Sequence, residues 1–172
     1  MAKIILVDES DNPTGTIEKL KAHQLGLLHR AFSIFILNNR GDLLLQKRAK
    51  AKYHSPGLWS NACCSHPTTK NIQKEAQKRL HQEMGIKCSL EEIFSFIYMV
   101  KVGNLTENEF DHVFIGHYNG NVKINKKEAE DYKWLSFENL KNDITQNPQN
   151  YTEWFKLIYE KVFGYAIIKS TN

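Results

Sequence analysis

Histidine, cysteine and glutamate are the residues whose spacing in this chain could do chemistry. Glu107-Asn108-Glu109 stands just before an apolar run that begins at Phe110. In extended backbone, residues i and i+2 share a face, so both carboxylates would point together. Two like charges that close are unfavourable unless a cation or a shared proton compensates, and a solvated turn is the competing reading. His23 and His29, six residues apart, cannot share a helix face. A loop running into a strand at Arg30 would bring both to one site, although each taken singly reads as a surface or satisfied core histidine. Asn61-Ala62-Cys63-Cys64-Ser65-His66-Pro67 follows Pro56-Gly57-Leu58-Trp59. A cysteine and a histidine two apart, Cys64 and His66, on a loop between a strand and a helix suit catalysis or metal binding. A buried structural cysteine fits the same pattern, and it is the reading for Cys63 and Cys88. Combined, His23, His29, His66, Glu107 and Glu109 would make a five-ligand site for zinc, manganese or iron.

Strands and helices must position these groups. Lys3–Val7 reads as a strand closed by a turn-forming run, Asp11-Asn12-Pro13-Thr14-Gly15. Arg30–Leu37 and Leu43–Arg48 are apolar runs joined by Asn38-Asn39-Arg40-Gly41-Asp42, which reads as a hairpin loop. Glu92–Val102, Phe110–Tyr118 and a short Tyr132–Leu135 are further strand candidates. Ile72, Ala76, Leu80 and Met84 recur every fourth residue before Gly85, which predicts a central helix and its stop. Glu75, Arg79 and Glu83 lie along its flank. A terminal helix is expected from about Thr152 to Phe163, with Trp154, Leu157, Ile158 and Phe163 as its apolar stripe. The expected fold class is α/β (α+β): a mixed sheet with the central helix and the C-terminal helix packed on it.

A length of 172 residues suits one domain spanning 1–172, and 41% hydrophobic with 24% charged residues is ordinary globular composition. The net charge of +4 suits an anionic small molecule and is too diffuse for a nucleic-acid footprint. No stretch approaches the roughly 18 apolar residues of a membrane helix. Three cysteines, two of them adjacent, make a poor disulfide framework. A soluble, reduced, cytoplasmic protein is expected, with no nucleic-acid or membrane partner; monomer and homodimer both stay open.

The segment Lys78-Arg79-Leu80-His81-Gln82-Glu83-Met84-Gly85-Ile86 resembles the core of the Nudix box, the helix whose glutamates hold magnesium against a diphosphate. Only Glu83 survives in place; Arg79 and Gln82 stand where the pattern wants carboxylates, and Cys64 where it wants glycine. An ordinary Arg79–Glu83 pair on a solvated helix would be worth a few tenths of a kcal/mol. The wider pattern resembles type I isopentenyl-diphosphate isomerase, a Nudix-fold enzyme, over nearly the whole chain. The resemblance is carried by Pro13–Lys19, Lys21-Ala22-His23, Leu28–Ser33, Pro56–Asn61, Cys64–Pro67, Glu83-Met84-Gly85, Glu107–Glu109 and the Trp154 segment.

That resemblance implies interconversion of isopentenyl and dimethylallyl diphosphate, a small isoprenoid diphosphate being the partner. It implies His23, His29, His66, Glu107 and Glu109 as ligands of a divalent transition metal. Cys64 is implied as the catalytic cysteine, and Glu109, with Tyr98 beside it, as the second proton-transfer group. Glu83 would hold magnesium bound to the substrate diphosphate. Lys19, Arg48, Lys52 and Arg79 would be the basic diphosphate contacts, and Trp154 would cover the hydrocarbon, with Trp59 read as core packing. Cys63 beside the catalytic position and Asp111, a third acid on the glutamate face, are departures from the pattern. Two rivals are a Nudix hydrolase of a nucleotide diphosphate and a non-catalytic metal-binding domain. The first needs several box glutamates, and the second needs paired ligand spacings that the chain lacks.

Overall fold

The computed structural model describes residues 3–170. A hairpin of β1 (Lys3–Val7) and β2 (Pro13–Glu18) leads into helix α1 (Lys19–Leu25). The central strand β3 (His29–Leu37) is buried along its whole length, as a strand covered on both faces must be. It pairs antiparallel with β1 and, at its far end, with β4 (Leu43–Arg48), and it runs parallel to β8 (Leu105–His117). Strand β8 forms a 13-residue hairpin with β7 (Leu90–Val102), turning at Gly103, whose φ of 61° favours glycine. Two three-residue strands, β5 (Trp59–Asn61) and β6 (Cys63–Ser65), pair with β4 and β3 respectively, and β9 (Ala129–Leu135) adds to the other edge of β4.

Alternation along the strands sorts the apolar residues into two layers. Ile34, Ile36, Leu44 and Phe114 face α2 (Ile72–Met84), which buries Ala76, Leu80 and Met84 against them. Phe35, Leu37, Leu45, Val113 and Ile115 face the opposite layer, where α3 (Phe137–Gln146) and α4 (Glu153–Ser170) contribute Leu140, Phe155, Ile158 and Val162. Helix α2 is delimited by its own sequence: the Asn71 side chain accepts from the Lys74 N–H at 3.0 Å, and Gly85 takes φ 69° at the C-cap. A side chain at position 85 would meet the Lys123 carbonyl oxygen at 2.8 Å, so this glycine is also demanded by packing. The architecture is the expected mixed sheet between helical layers, an α+β arrangement.

Several local expectations are corrected. The stretch read as a turn, Asp11–Gly15, supplies the first half of β2, because Pro13–Glu18 finds hydrogen-bonding partners in β1. The stretch read as a loop before Arg30 is helix α1, ended by Gly26 at φ 63°. Asn61–Pro67 is mostly strand, captured by the free edges of β4 and β3. Glu107 and Glu109 lie inside β8, which starts at Leu105, and not before it. Helix α4 continues past Phe163 to Ser170, and Leu157 is 55% exposed, outside the apolar stripe. Helix α3 went unanticipated, and among the described residues no helix is long and apolar enough to cross a membrane.

Candidate metal centre and active site

Four parts of the chain deliver the five expected ligands to one point. His23 sits in the last turn of α1, and His29 opens β3 three residues after the helix cap. His66 follows β6, and Glu107 and Glu109 occupy alternate positions of β8, with Glu109 directly beside His29 in the parallel register. One ligand atom from each of the five lies within 4.8 Å of every other, so these side chains could hold a metal ion. The i, i+2 rule anticipated the carboxylate pair, and helix α1 accomplishes what had been assigned to a loop.

The chemistry of the donors fits a cation. His23 Nδ1 lies 2.7 Å from the Lys19 carbonyl oxygen and His29 Nδ1 lies 2.8 Å from that of Leu27. Donation to a carbonyl places the proton on Nδ1 and leaves the Nε2 lone pair directed into the cluster, as in second-sphere support of metal-bound imidazoles. His23 Nε2 lies 3.0 Å from Glu107 Oε2 and His29 Nε2 3.5 Å from Glu109 Oε1, but neither contact has the geometry of a hydrogen bond, and Glu107 Oε1 is likewise buried without one. Burial, followed by the charge of nearby Lys19, holds His66 well below the ordinary histidine range, in the neutral form that ligates. Burial pushes the Glu107 carboxyl up, and the negative charge of Glu109 adds to the effect. Burial also opposes ionisation of Glu109, but the imidazoles of His29 and His66 beside it outweigh burial and hold this carboxyl well below its usual range. Three imidazole nitrogens and two carboxylates make a mixed N/O set that a divalent metal would complete.

A cleft opens beside this cluster, lined among others by Lys19, Arg48, Lys52, Cys64, His66, Arg79, Tyr98, Glu109 and Trp154. All four expected cations, both expected proton-transfer groups and the expected indole therefore meet in one place. The Tyr98 hydroxyl donates to Glu109 Oε2 at 2.6 Å, because the two residues face each other across the β7–β8 ladder. Cys64 is half-buried on β6, and burial pushes its thiol up to about 12 despite the nearby Arg48 guanidinium, so the sulfur retains its proton. Arg48 donates to the carbonyls of His54 and Ser55 and lies 5.3 Å over the Trp154 ring. Glu83, 3% exposed, accepts from Gln46 Nε2 at 2.9 Å and from Arg79 Nε at 3.0 Å. The Arg79–Glu83 pair is thus buried at its acid end, and not the solvated surface pair of the bland reading.

Other expectations divide. Trp59 packs beside the α4-side core and under Lys133, at 4.4 Å, and takes no place in the cleft, as its core reading has it. Cys63 is fully buried under α2, as expected, whereas Cys88 is only partly buried. Asp111 is fully buried on the glutamate face and accepts from the Ser33 hydroxyl at 2.8 Å, which keeps it in the interior and out of the cluster. Four residues of the cleft were missed, Phe32, Tyr53, His54 and Ser65. His54 stands 3.4 Å from Glu107 Oε1 and edge-on to Trp154, and Tyr53 packs against it. A lone histidine two residues after Lys52 was the available signal. Gln46 was missed too, because nothing local marks a strand glutamine as a partner of a helix glutamate.

Residues 27–155 match the NUDIX domain family. The isopentenyl-diphosphate Delta-isomerase 2 of Photorhabdus laumondii is 50% identical over 157 residues, 90% of this chain and 89% of that protein. The protein of the same designation from Aromatoleum aromaticum is 46% identical over 164 residues, 94% of this chain and 87% of its own length. The chain belongs to the isopentenyl-diphosphate Delta-isomerase family. Solved structures add the fold: DR0079 from Deinococcus radiodurans superposes with a TM-score of 0.70 at 18% identity, covering 85% of this chain and 90% of that one. The MutT protein of Methanosarcina mazei does so at 0.65 and 18%, covering 81% and 94%. The isomerase family thus shares its fold with proteins of other names, and on the flank of α2 that carries Glu75 and Glu83 the residue between them is Arg79.

Proposed function

We propose that this protein interconverts isopentenyl and dimethylallyl diphosphate in a single catalytic unit, with Cys64 and Glu109 as the two proton-transfer groups. The observation that carries the reading is their shared cleft. The Cys64 thiol, pushed up by burial, and the Glu109 carboxyl, held low by the imidazoles beside it, line the same space as four cations and an indole. The alkene is unactivated, so the costly step is adding a proton to its terminal methylene carbon, which leaves a tertiary carbocation. Removing a proton from the methylene on the other side of the cation places the double bond in its new position. Each group acts as acid in one direction of the interconversion and as base in the other.

Around these two groups the remaining residues orient and shield. Tyr98 holds Glu109 by its hydroxyl. Trp154, 3% exposed, offers an indole face that stabilises a nearby cation by about 0.5–2 kcal/mol and keeps water from it. Lys19, Arg48, Lys52 and Arg79 grip the diphosphate, whose binding energy fixes the small hydrocarbon. His23, His29, His66, Glu107 and Glu109 would hold zinc, manganese or iron, and Glu83 magnesium with the substrate. A metal at the histidine site supplies a fixed positive charge that orients the Glu109 carboxylate and sets its proton affinity. Such an enzyme works on a soluble substrate in the cytoplasm.

Product analysis in deuterated water tests this reading. Isopentenyl diphosphate should yield dimethylallyl diphosphate that carries solvent deuterium and both phosphates. Release of phosphate without a shifted double bond would instead favour a hydrolase, and no change in the substrate, with metal bound, a non-catalytic domain.

A further inference from the structure

Two of the four cations in the cleft are already held by an acid. Lys52 Nζ hydrogen-bonds Oε2 of Glu128, and the same oxygen lies 3.4 Å from Arg79 Nη2. Arg48, by contrast, spends its guanidinium on backbone carbonyls, and among the described residues no carboxylate pairs with it or with Lys19. Glu128 is built in and not a passing surface side chain. Its carbonyl accepts from the Ala49 N–H at 3.0 Å, one residue beyond Arg48, and its own N–H donates to Asn125 at 2.8 Å. Asn125 in turn donates its N–H to the carbonyl of Glu83 at 2.8 Å. The loop before β9 is therefore tied to the end of β4 and to the end of α2, the elements that carry Arg48 and Arg79. Its carboxylate, 22% exposed on the side chain, sits where those cations converge.

We propose that Glu128 is an internal counter-anion that occupies the grip of Lys52 and Arg79 and is displaced by the substrate diphosphate, setting the selectivity of the site for two linked phosphates over one. The proposal rests on the reading of Lys52 and Arg79 as diphosphate contacts. Its physical basis is competition. Lys52 and Arg79 keep a fixed geometry in the resting protein because an acid holds them, and an incoming anion must replace that acid before it gains their charge. A single phosphate replaces one carboxylate with little net gain. A diphosphate keeps a second phosphate for Lys19 and Arg48, the two cations that no carboxylate occupies. The side chains stay partly wet, so the exchange remains reversible. Glu128 acts through the cations and is a positioning residue.

The test is calorimetric titration of inorganic pyrophosphate and inorganic phosphate, without magnesium, into the wild-type protein and into E128Q and R79A. Glutamine preserves shape and removes the charge, and a thermal melt verifies folding. E128Q should bind pyrophosphate about tenfold tighter and phosphate tighter by a larger factor, narrowing the discrimination, and steady-state turnover should show a lowered KM. Unchanged or weaker pyrophosphate binding by E128Q, or no binding by either protein, overturns the proposal. R79A separates the two layers of inference. If R79A weakens pyrophosphate binding while E128Q leaves it unchanged, only the role of Glu128 falls. If R79A leaves it unchanged, the cation reading falls and takes the proposal with it.

Discussion

The cleft has two charged walls that solve the same electrostatic problem in opposite ways. In the histidine–glutamate wall, buried groups are left unfinished: Nε2 of His23 and His29 and Oε1 of Glu107 have no hydrogen-bond partner. Glu107 and Glu109 stand two residues apart on one face, and burial and mutual repulsion push the Glu107 carboxyl up. In the cationic wall, Arg79 and Lys52 are already neutralised by Glu83 and Glu128, and Glu83 has a further donor in Gln46. Unpaired buried polar atoms are costly, so the first wall gains from a cation bound in place with no rearrangement. In the second wall Lys52 and Arg79 already have partners and must exchange them to bind an anion. The lesson is that a preorganised site can be recognised by what it lacks, and an exchangeable one by internal pairs between residues from separate elements.

The largest effect that would break this division lies between the walls. Cys64→Ala should lower turnover by about three orders of magnitude with the fold intact, whereas Cys63→Ala, under helix α2, should retain most activity. Steady-state kinetics with the two responses reversed would reassign the strand. Next, His66→Ala should lower metal content and activity together, while magnesium-dependent diphosphate binding stays near wild type; elemental analysis finding no metal in active wild-type protein would dissolve the unfinished wall. Removing the metal should also lower the melting temperature, because a ligand at a thousand times its Kd stabilises by about 4 kcal/mol, or about 8–16 °C for a chain of this size. A melt indifferent to chelator would show that the histidine wall is stable without a cation. The smallest effect sharpens the other wall. Glu83→Gln should raise KM about tenfold and weaken magnesium dependence with transition-metal content unchanged, on the expectation that a charged contact is worth about 1.5 kcal/mol. Loss of the transition metal in that variant would merge the two sites.

The two walls differ as much in legibility. Glu107 and Glu109 were readable together because strand periodicity acts over two residues, and β8 honours it. Helix α2 was readable because an apolar residue every fourth position, an asparagine cap and a terminal glycine are all local signals. Helix α1 was not. Its seven residues hold only Ala22 and His23 buried, so it has no apolar stripe, and its helical form is secured by the Gly26 cap and by contacts with β8. Strands β5 and β6 were equally hidden, since three-residue strands carry no period of their own and exist because open edges of β4 and β3 receive them.

Residue type and order alone determined which groups were available for chemistry: three histidines, a carboxylate pair, a cysteine two residues before one of those histidines, a surviving helix glutamate and four scattered cations. They determined it because ligand chemistry, charge and short-range periodicity are properties of residues and their near neighbours. Only the tertiary structure decided that His23 reaches the cluster from a helix, that Tyr98 holds Glu109 at 2.6 Å, that His54 lines the cleft, and that Gln46 and Glu128 reach Glu83 and Lys52. Glu128 and Lys52 are 76 positions apart, and Gln46 and Glu83 are 37 apart. Over such separations no periodic signal survives along the chain, and sheet pairing and helix packing set the distance.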